Sequence, residues 1–109
     1  MQDDQETEEQ SAEGVEALGW EQCPDGRVCF WTGKDYKGGL WKYDPGSGYQ
    51  NTPAYIHKNA NSFVSKASVD VNGIDWITPG QSANYRRIRP GDYRRSWDFG
   101  GDLDACDRA

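Results

Sequence analysis

The 109-residue sequence predicts a single all-β domain, and three observations carry that reading. Aromatic residues supply much of the large apolar complement: five Trp and six Tyr, while Leu, Ile and Val are scarce. A chain this short buries a low fraction of its surface, and rings that each bury ~150–250 Å² compensate. Thirteen glycines, with Pro-Gly and Asn-Gly pairs among them, mark many tight turns between short strands. No window sustains the 3.6-residue apolar period of a helix.

Residues 1–21 read as a disordered acidic tail ahead of a folded unit spanning 22–109. Asp3, Asp4, Glu6, Glu8, Glu9, Glu13 and Glu16 occur there without a basic residue. Such a segment buries too little apolar area to offset its ordering entropy. Val15, Leu18 and Trp20 end the acidic run, so Leu18 and Trp20 are candidates for contact with a partner or with the folded unit. Eight of the 18 acidic residues lie before Gln22 with none of the 12 basic ones, leaving ten acids against twelve bases, a net of +2. The low overall isoelectric point therefore belongs to the tail. No signal peptide and no membrane-spanning apolar run are present, which fits a mature form with Met1 supplied for expression.

Cys23 and Cys29 flank a Pro-Asp-Gly turn, and a disulfide closing that small loop is the simplest reading of the pair. It implies an oxidising, extracellular setting. Cys106 is left over, as a free thiol, a cross-link between two chains, or a competitor for that pairing. Next comes Trp31, then Tyr36 after four intervening residues, then Gly38. A strand buries alternate residues, whereas this spacing suits a folded-over hairpin in which Tyr36 covers the turn and Gly38 takes a conformation that a Cβ penalises.

With CPDGRVC directly ahead of that hairpin, the segment resembles a secreted bacterial peptidase-inhibitor family of βγ-crystallin fold, similar to a Streptomyces metalloproteinase inhibitor. The resemblance implies a double Greek-key sandwich over 22–109. After the hairpin, Leu40–Tyr43 reads as a strand and Asp44-Pro45-Gly46 as a turn. Members of the superfamily close the Greek key with a calcium-ligating Asn/Asp-Asn/Asp-x-x-Ser/Thr-Ser stretch. Here it reads Asn61-Ser62-Phe63-Val64-Ser65-Lys66, so Asn61, Ser62 and Ser65 form a degenerate motif. Ca²⁺ takes roughly six to eight oxygens, several charged, so the site reads as vestigial and no metal or cofactor is expected. The second Greek key is expected to be degenerate. The stretch NYRRIRPGDYRR fits its strand-then-Pro-Gly pattern, but Trp76 and Tyr85 are too far apart for an aromatic corner.

Arg86, Arg87, Arg89, Arg94 and Arg95 crowd what reads as one hairpin around Arg89-Pro90-Gly91-Asp92, beside Tyr85, Tyr93 and Trp97, with Ile88 and Tyr93 pointing inward. The patch reads as a solvated face or a protein-partner surface; nucleic acid is not the expected ligand. Asn72-Gly73 reads as a hairpin turn. The single histidine, His57, reads as a structural or surface residue of a short strand, since nothing near it resembles a nucleophile elbow or a metal-binding helix. Asp98, Asp102, Asp104 and Asp107 follow no calcium-loop register. No catalytic residue emerges.

Two functions remain. The resemblance implies a secreted inhibitor that places a rigid loop in a peptidase cleft, a metallopeptidase first. Its candidate loops are Pro24–Arg27 and the connection from Gly46 to Pro53, the latter without an evident constraint. The alternative is a non-catalytic adaptor of an extracellular assembly, docking through the Trp-tipped acidic segment or the arginine-aromatic hairpin. A monomer is expected unless Cys106 cross-links.

Overall fold

The computed structural model describes residues 19–78 and 82–109; the expected disordered tail lies, up to Leu18, outside the described residues. Eight strands follow in order: β1 Val28–Trp31, β2 Leu40–Tyr43, β3 Gln50–Asn51, β4 Ser62–Ser65, β5 Val71–Thr78, β6 Ser82–Ile88, β7 Tyr93–Arg94 and β8 Ala105–Arg108. They form two antiparallel sheets, ordered β2-β1-β4-β7 and β3-β8-β5-β6. Each group of four consecutive strands is a Greek key that gives its third strand to the other sheet. The expected all-β double Greek key is the architecture observed.

The β1–β2 hairpin is folded over as its spacing predicts. Asp35 and Tyr36 take positive φ of 58° and 61°, conformations that cost L-residues roughly 1–2 kcal/mol each. The Ser62 hydroxyl of β4 offsets that cost. It donates to Gly33 O at 2.7 Å and accepts the Tyr36 N–H at 3.0 Å, both groups that burial would otherwise leave unpaired. Tyr36 then lies edge-on to Trp31, ring centroids 5.3 Å apart. Gly38 turns at φ 89°, where a Cβ would collide with the Thr32 hydroxyl.

This lid explains why all four residues of β1 are buried. Side chains alternate across a strand. Val28 and Phe30 enter the core between the sheets with Tyr43, Ile56, Phe63, Val71, Ile88, Trp97 and Leu103. Cys29 and Trp31 point the other way, into a second cluster closed by Cys23, Tyr36 and Val64. Within the main core Phe30 stacks on Trp41 at 5.5 Å and on Trp97 at 5.7 Å, and Trp97 meets Phe63 at 4.6 Å. Aromatic pairs of this kind contribute about 0.5–1.5 kcal/mol each beyond area burial.

Cys23 and Cys29 are disulfide-bonded. Cys106 is a free thiol, fully buried on β8 in the main core, so neither cross-linking between chains nor exchange with the first pair is open to it in this fold.

Three expectations need correction. Asn72-Gly73 is not a turn but lies inside β5, paired with Arg87 and Arg86 of β6. Gly73 is small because Leu103, Phe99 and Trp97 approach to 3.2–3.6 Å of where its Cβ would be. The arginine-rich unit is not a hairpin: β6 pairs with β5 in one sheet and β7 with β4 in the other. The turn at Arg89–Asp92, closed by Asp92 N–H to Arg89 O at 3.0 Å, carries the chain between sheets. Ile88 is buried as expected, but Tyr93 is 60% exposed on the edge strand β7, paired with Val64 on the face turned away from the main core. The second Greek key is complete in strand order, and its first two strands form the long β5–β6 pair, with a register shift between Trp76 and Thr78.

Replacing Ser62 by Ala leaves the Tyr36 N–H and the Gly33 carbonyl without their partner in a buried setting. The expected loss is about 2 kcal/mol of unfolding free energy, read from urea denaturation. Burial also pushes the Cys106 thiol and the Tyr36 and Tyr43 phenols upward. Such groups contribute stability in full below their unfolded-state values and lose it as pH rises toward the folded ones. Stability is therefore expected to hold to about pH 9 and then fall, more steeply above about pH 10. Urea midpoints across this range check it, and Cys106→Ala should remove the first part of the decline.

Candidate functional site

The two loops read from the sequence are built differently. Pro24, Asp25 and Gly26 are exposed within the disulfide-closed loop. Gly26 turns at φ 84°, its N–H donates to Lys66 O at 2.8 Å, and the Lys66 N–H donates to Arg27 O at 2.8 Å. The loop is thus a tight turn clamped to the end of β4.

The connection from Gly46 to Pro53, expected to lack a constraint, is pinned throughout. Asp44 caps the short 3₁₀ turn Pro45–Ser47 by accepting the Gly46 N–H at 2.9 Å. The buried Tyr43 hydroxyl donates to Gly48 O. Gln50 and Asn51 then pair with Cys106 and Ala105 of β8. The Thr52 N–H and hydroxyl both donate to Asp104 O at 3.1 Å. Tyr49 stands 43% exposed, donating to Asn51 Oδ1 and accepting from Trp76 Nε1, each at 2.9 Å. Because β3 is the edge of its sheet among the described residues, the backbone of Gln50–Asn51 is held by β8 on one side.

Beside this edge lies a cavity of about 420 Å³, lined by Asn51, Thr52, His57, Lys58, Trp76 and Asp104, with Ile77 completing it. Asp104 organises it. Its carboxylate, only 9% exposed, accepts the Trp76 backbone N–H at 2.8 Å and Lys58 Nζ at 3.1 Å, and lies 3.4 Å from His57 Nε2. The Asp104 hydrogen bond holds the Lys58 ammonium above its usual range. His57 Nδ1 lies 3.3 Å from Thr52 Oγ1, so hydroxyl, imidazole and carboxylate are in series. The hydroxyl also lies 3.1 Å from Asp104 O, so the carbonyl and the imidazole share it.

Sequence reading placed His57 in a strand; it lies in the turn after Pro53, half exposed. Asp104 was grouped with the other C-terminal acids. The two are 47 positions apart, and the β3–β8 pairing brings them together, so no local signal joins them.

The remaining candidates disperse. Trp97 is buried in the main core. Arg87 pairs with Asp70 at 3.0 Å, and Arg86 lies 5.6 Å over Phe99, both on β6. Arg89 is exposed in the crossing turn. Arg94 and Arg95 sit with Tyr93 at the edge of the other sheet, where Arg95 Nε bonds Asp35 Oδ1 at 2.8 Å. Leu18 lies outside the described residues, and Trp20 packs under Lys66 Nζ, 5.2 Å from the ring.

The residues of the degenerate calcium motif have other surroundings in the fold. Ser62 is committed to the hairpin, Asn61 donates its amide to Thr32 O at 2.6 Å, and Lys66 places a cation at the last position. Ser65 Oγ is buried without a partner, but no group of three or more His, Cys, Asp or Glu side chains gathers among the described residues.

Comparisons with known proteins bear on this geometry. A family model described as peptidase inhibitor family I36 matches residues 16–86. An uncharacterized gerABC family protein of Dictyostelium discoideum is 34% identical over 83 residues, 75% of this chain and 70% of that protein. Among solved structures, the βγ-crystallin domain of the Abundant Perithecial Protein of Neurospora crassa, in its Ca²⁺-bound form, superposes with a TM-score of 0.60. It is 20% identical, covering 79% of this chain and 91% of that domain. The N-terminal domain of Protein S gives a TM-score of 0.57 at 10% identity, covering 76% and 94% respectively. These two likenesses establish the βγ-crystallin fold.

Replacing Asp104 by Ala removes the acceptor of the Trp76 N–H and the shared anion of Lys58 and His57. A loss of about 2–3 kcal/mol is expected from urea denaturation, whereas Lys58→Met, at an exposed ion pair, should cost under about 1 kcal/mol.

Proposed function

The chain belongs to peptidase inhibitor family I36, and we propose that it is a secreted protein that binds and inhibits extracellular peptidases, metallopeptidases first, without catalysis of its own. Family membership supports peptidase inhibition. The Cys23–Cys29 disulfide favours an oxidising compartment. The observation that carries the reading is the segment Tyr49–Thr52: exposed, partly strand, and anchored at Gly48, Gln50, Asn51 and Thr52 to the body of the domain. A peptidase cleft takes substrate as an extended chain, and a segment already held in that form pays little ordering entropy on binding. Tyr49 supplies an aromatic side chain of the kind that concentrates interface energy. The Pro24–Arg27 turn is equally anchored but too tightly curved to lie along a cleft.

An adaptor role in an extracellular assembly is the second reading. Tyr85 and Tyr93, 61% and 60% exposed beside arginines, favour it, although they lie on different sheets and cannot form one hairpin surface.

Titration of the full chain against metallo-, serine and cysteine peptidases tests the proposal. Inhibition of one class at near-equimolar ratio is expected, and Tyr49→Ala should weaken it about tenfold or more, roughly 1.4 kcal/mol. Loss of inhibition with Arg27→Ala instead would move the inhibitory surface to the disulfide loop. Failure of the unmodified chain against every class would overturn the inhibitor reading and favour the adaptor.

A further inference from the structure

We propose that the basic rim formed by the folded hairpin and β7 is a docking surface for an acidic peptide segment, and that its occupant is this chain's own residues 1–18. The inference is independent of the peptidase reading. The rim sets Arg95, the residue after β7, against the folded hairpin, whose exposed Lys34 and Lys37 flank Asp35 and Tyr36, with Arg94 on β7 beside it. The Asp35 N–H donates to Arg95 O at 2.8 Å, and the Asp35 carboxylate bonds the Arg95 guanidinium, which fastens hairpin and edge strand into one surface. Among its acids Asp35 is thereby paired, and Asp92 accepts the Arg89 N–H at 2.9 Å. An open depression of about 430 Å³ runs along Gly91–Arg95, next to the exposed Tyr93 ring. Among the described residues the backbone of β7 is paired only with β4.

Three facts name the occupant. Segment 1–18 carries seven acidic residues and no basic one, whereas the rest of the chain is nearly balanced. The described chain begins at this rim: Gly19 lies so close to Tyr36 O that a Cβ would strike it, and Trp20 sits beneath Lys66. Glu16 and Glu13 precede Gly19 by three and six residues, which extended chain spans in about 10 and 20 Å. The acids therefore reach the rim without a linker, at a high effective concentration.

The test uses the full chain with Ser11→Cys carrying a nitroxide label; Cys23 and Cys29 are bonded and Cys106 is buried, so labelling is selective. Amide signals of residues 33–37 and 93–95 are expected to lose intensity at about 10 mM salt and to regain it near 1 M, where the screening length shrinks from about 30 to 3 Å. Lys37→Gln with Arg94→Gln should give the same recovery at low salt, and a mixture of labelled chain with isotope-enriched, unlabelled chain should show no loss. Undiminished signals at 33–37 and 93–95, loss centred on Arg86–Arg89, or loss arising only in the mixture, which would mean a second copy supplies the segment, would each overturn the proposal.

Discussion

The hydroxyl of Ser62 ties the tip of the folded hairpin to the strand beside it. A hairpin folded back on itself exposes its own backbone and forces Asp35 and Tyr36 into left-handed conformations, which an isolated segment does not sustain. One oxygen on a neighbouring strand satisfies a donor and an acceptor at its tip. With the tip held, Tyr36 covers Trp31, and the outer face of β1 becomes a second small core rather than an exposed aromatic surface. The disulfide closes the other end of that core. A domain of this size thus buries both faces of its central strand without a third layer.

The exchange of third strands between the two Greek keys is the second organising constraint. By sending β3 to the far sheet, the fold sets an exposed segment from the first half on a strand at the end of the chain. The Asp104 cluster follows from it: a nearly buried carboxylate whose acceptor capacity is taken by a backbone N–H, a lysine and a histidine. That network stiffens the ground beneath Tyr49–Thr52, and a rigid segment is what an inhibitory contact requires. By sending β7 the other way, the same exchange separates two groups of arginines adjacent in sequence, leaving one paired along β6 and the other beside the folded hairpin.

Turns and pairs written within a few residues were legible. The aromatic and glycine spacing from Trp31 to Gly38 predicts a folded corner because its geometry is set by φ angles and ring contacts inside one loop. Two cysteines flanking a short turn made the Cys23–Cys29 bridge the simplest reading, and the burial of Cys106 removes its competitor. The arginine unit was misread for the same reason: Pro90-Gly91 is a turn in either case, and nothing local says whether the next strand returns to the same sheet. Asn72-Gly73 was misread because a glycine required by the approach of Leu103, Phe99 and Trp97 looks like one required by a turn.

The sequence by itself determined the all-β class, the folded first hairpin and the concentration of acidity ahead of Gly19, because each depends on composition or on neighbours along the chain. Only the tertiary structure decided which strand each Greek key exchanges, the burial of Cys106, the joining of His57 to Asp104 and the splitting of the arginines. Those outcomes depend on which long-range pairing buries the most apolar surface while leaving the fewest polar groups unpaired, a balance taken over the whole sandwich and not encoded in any single stretch of it.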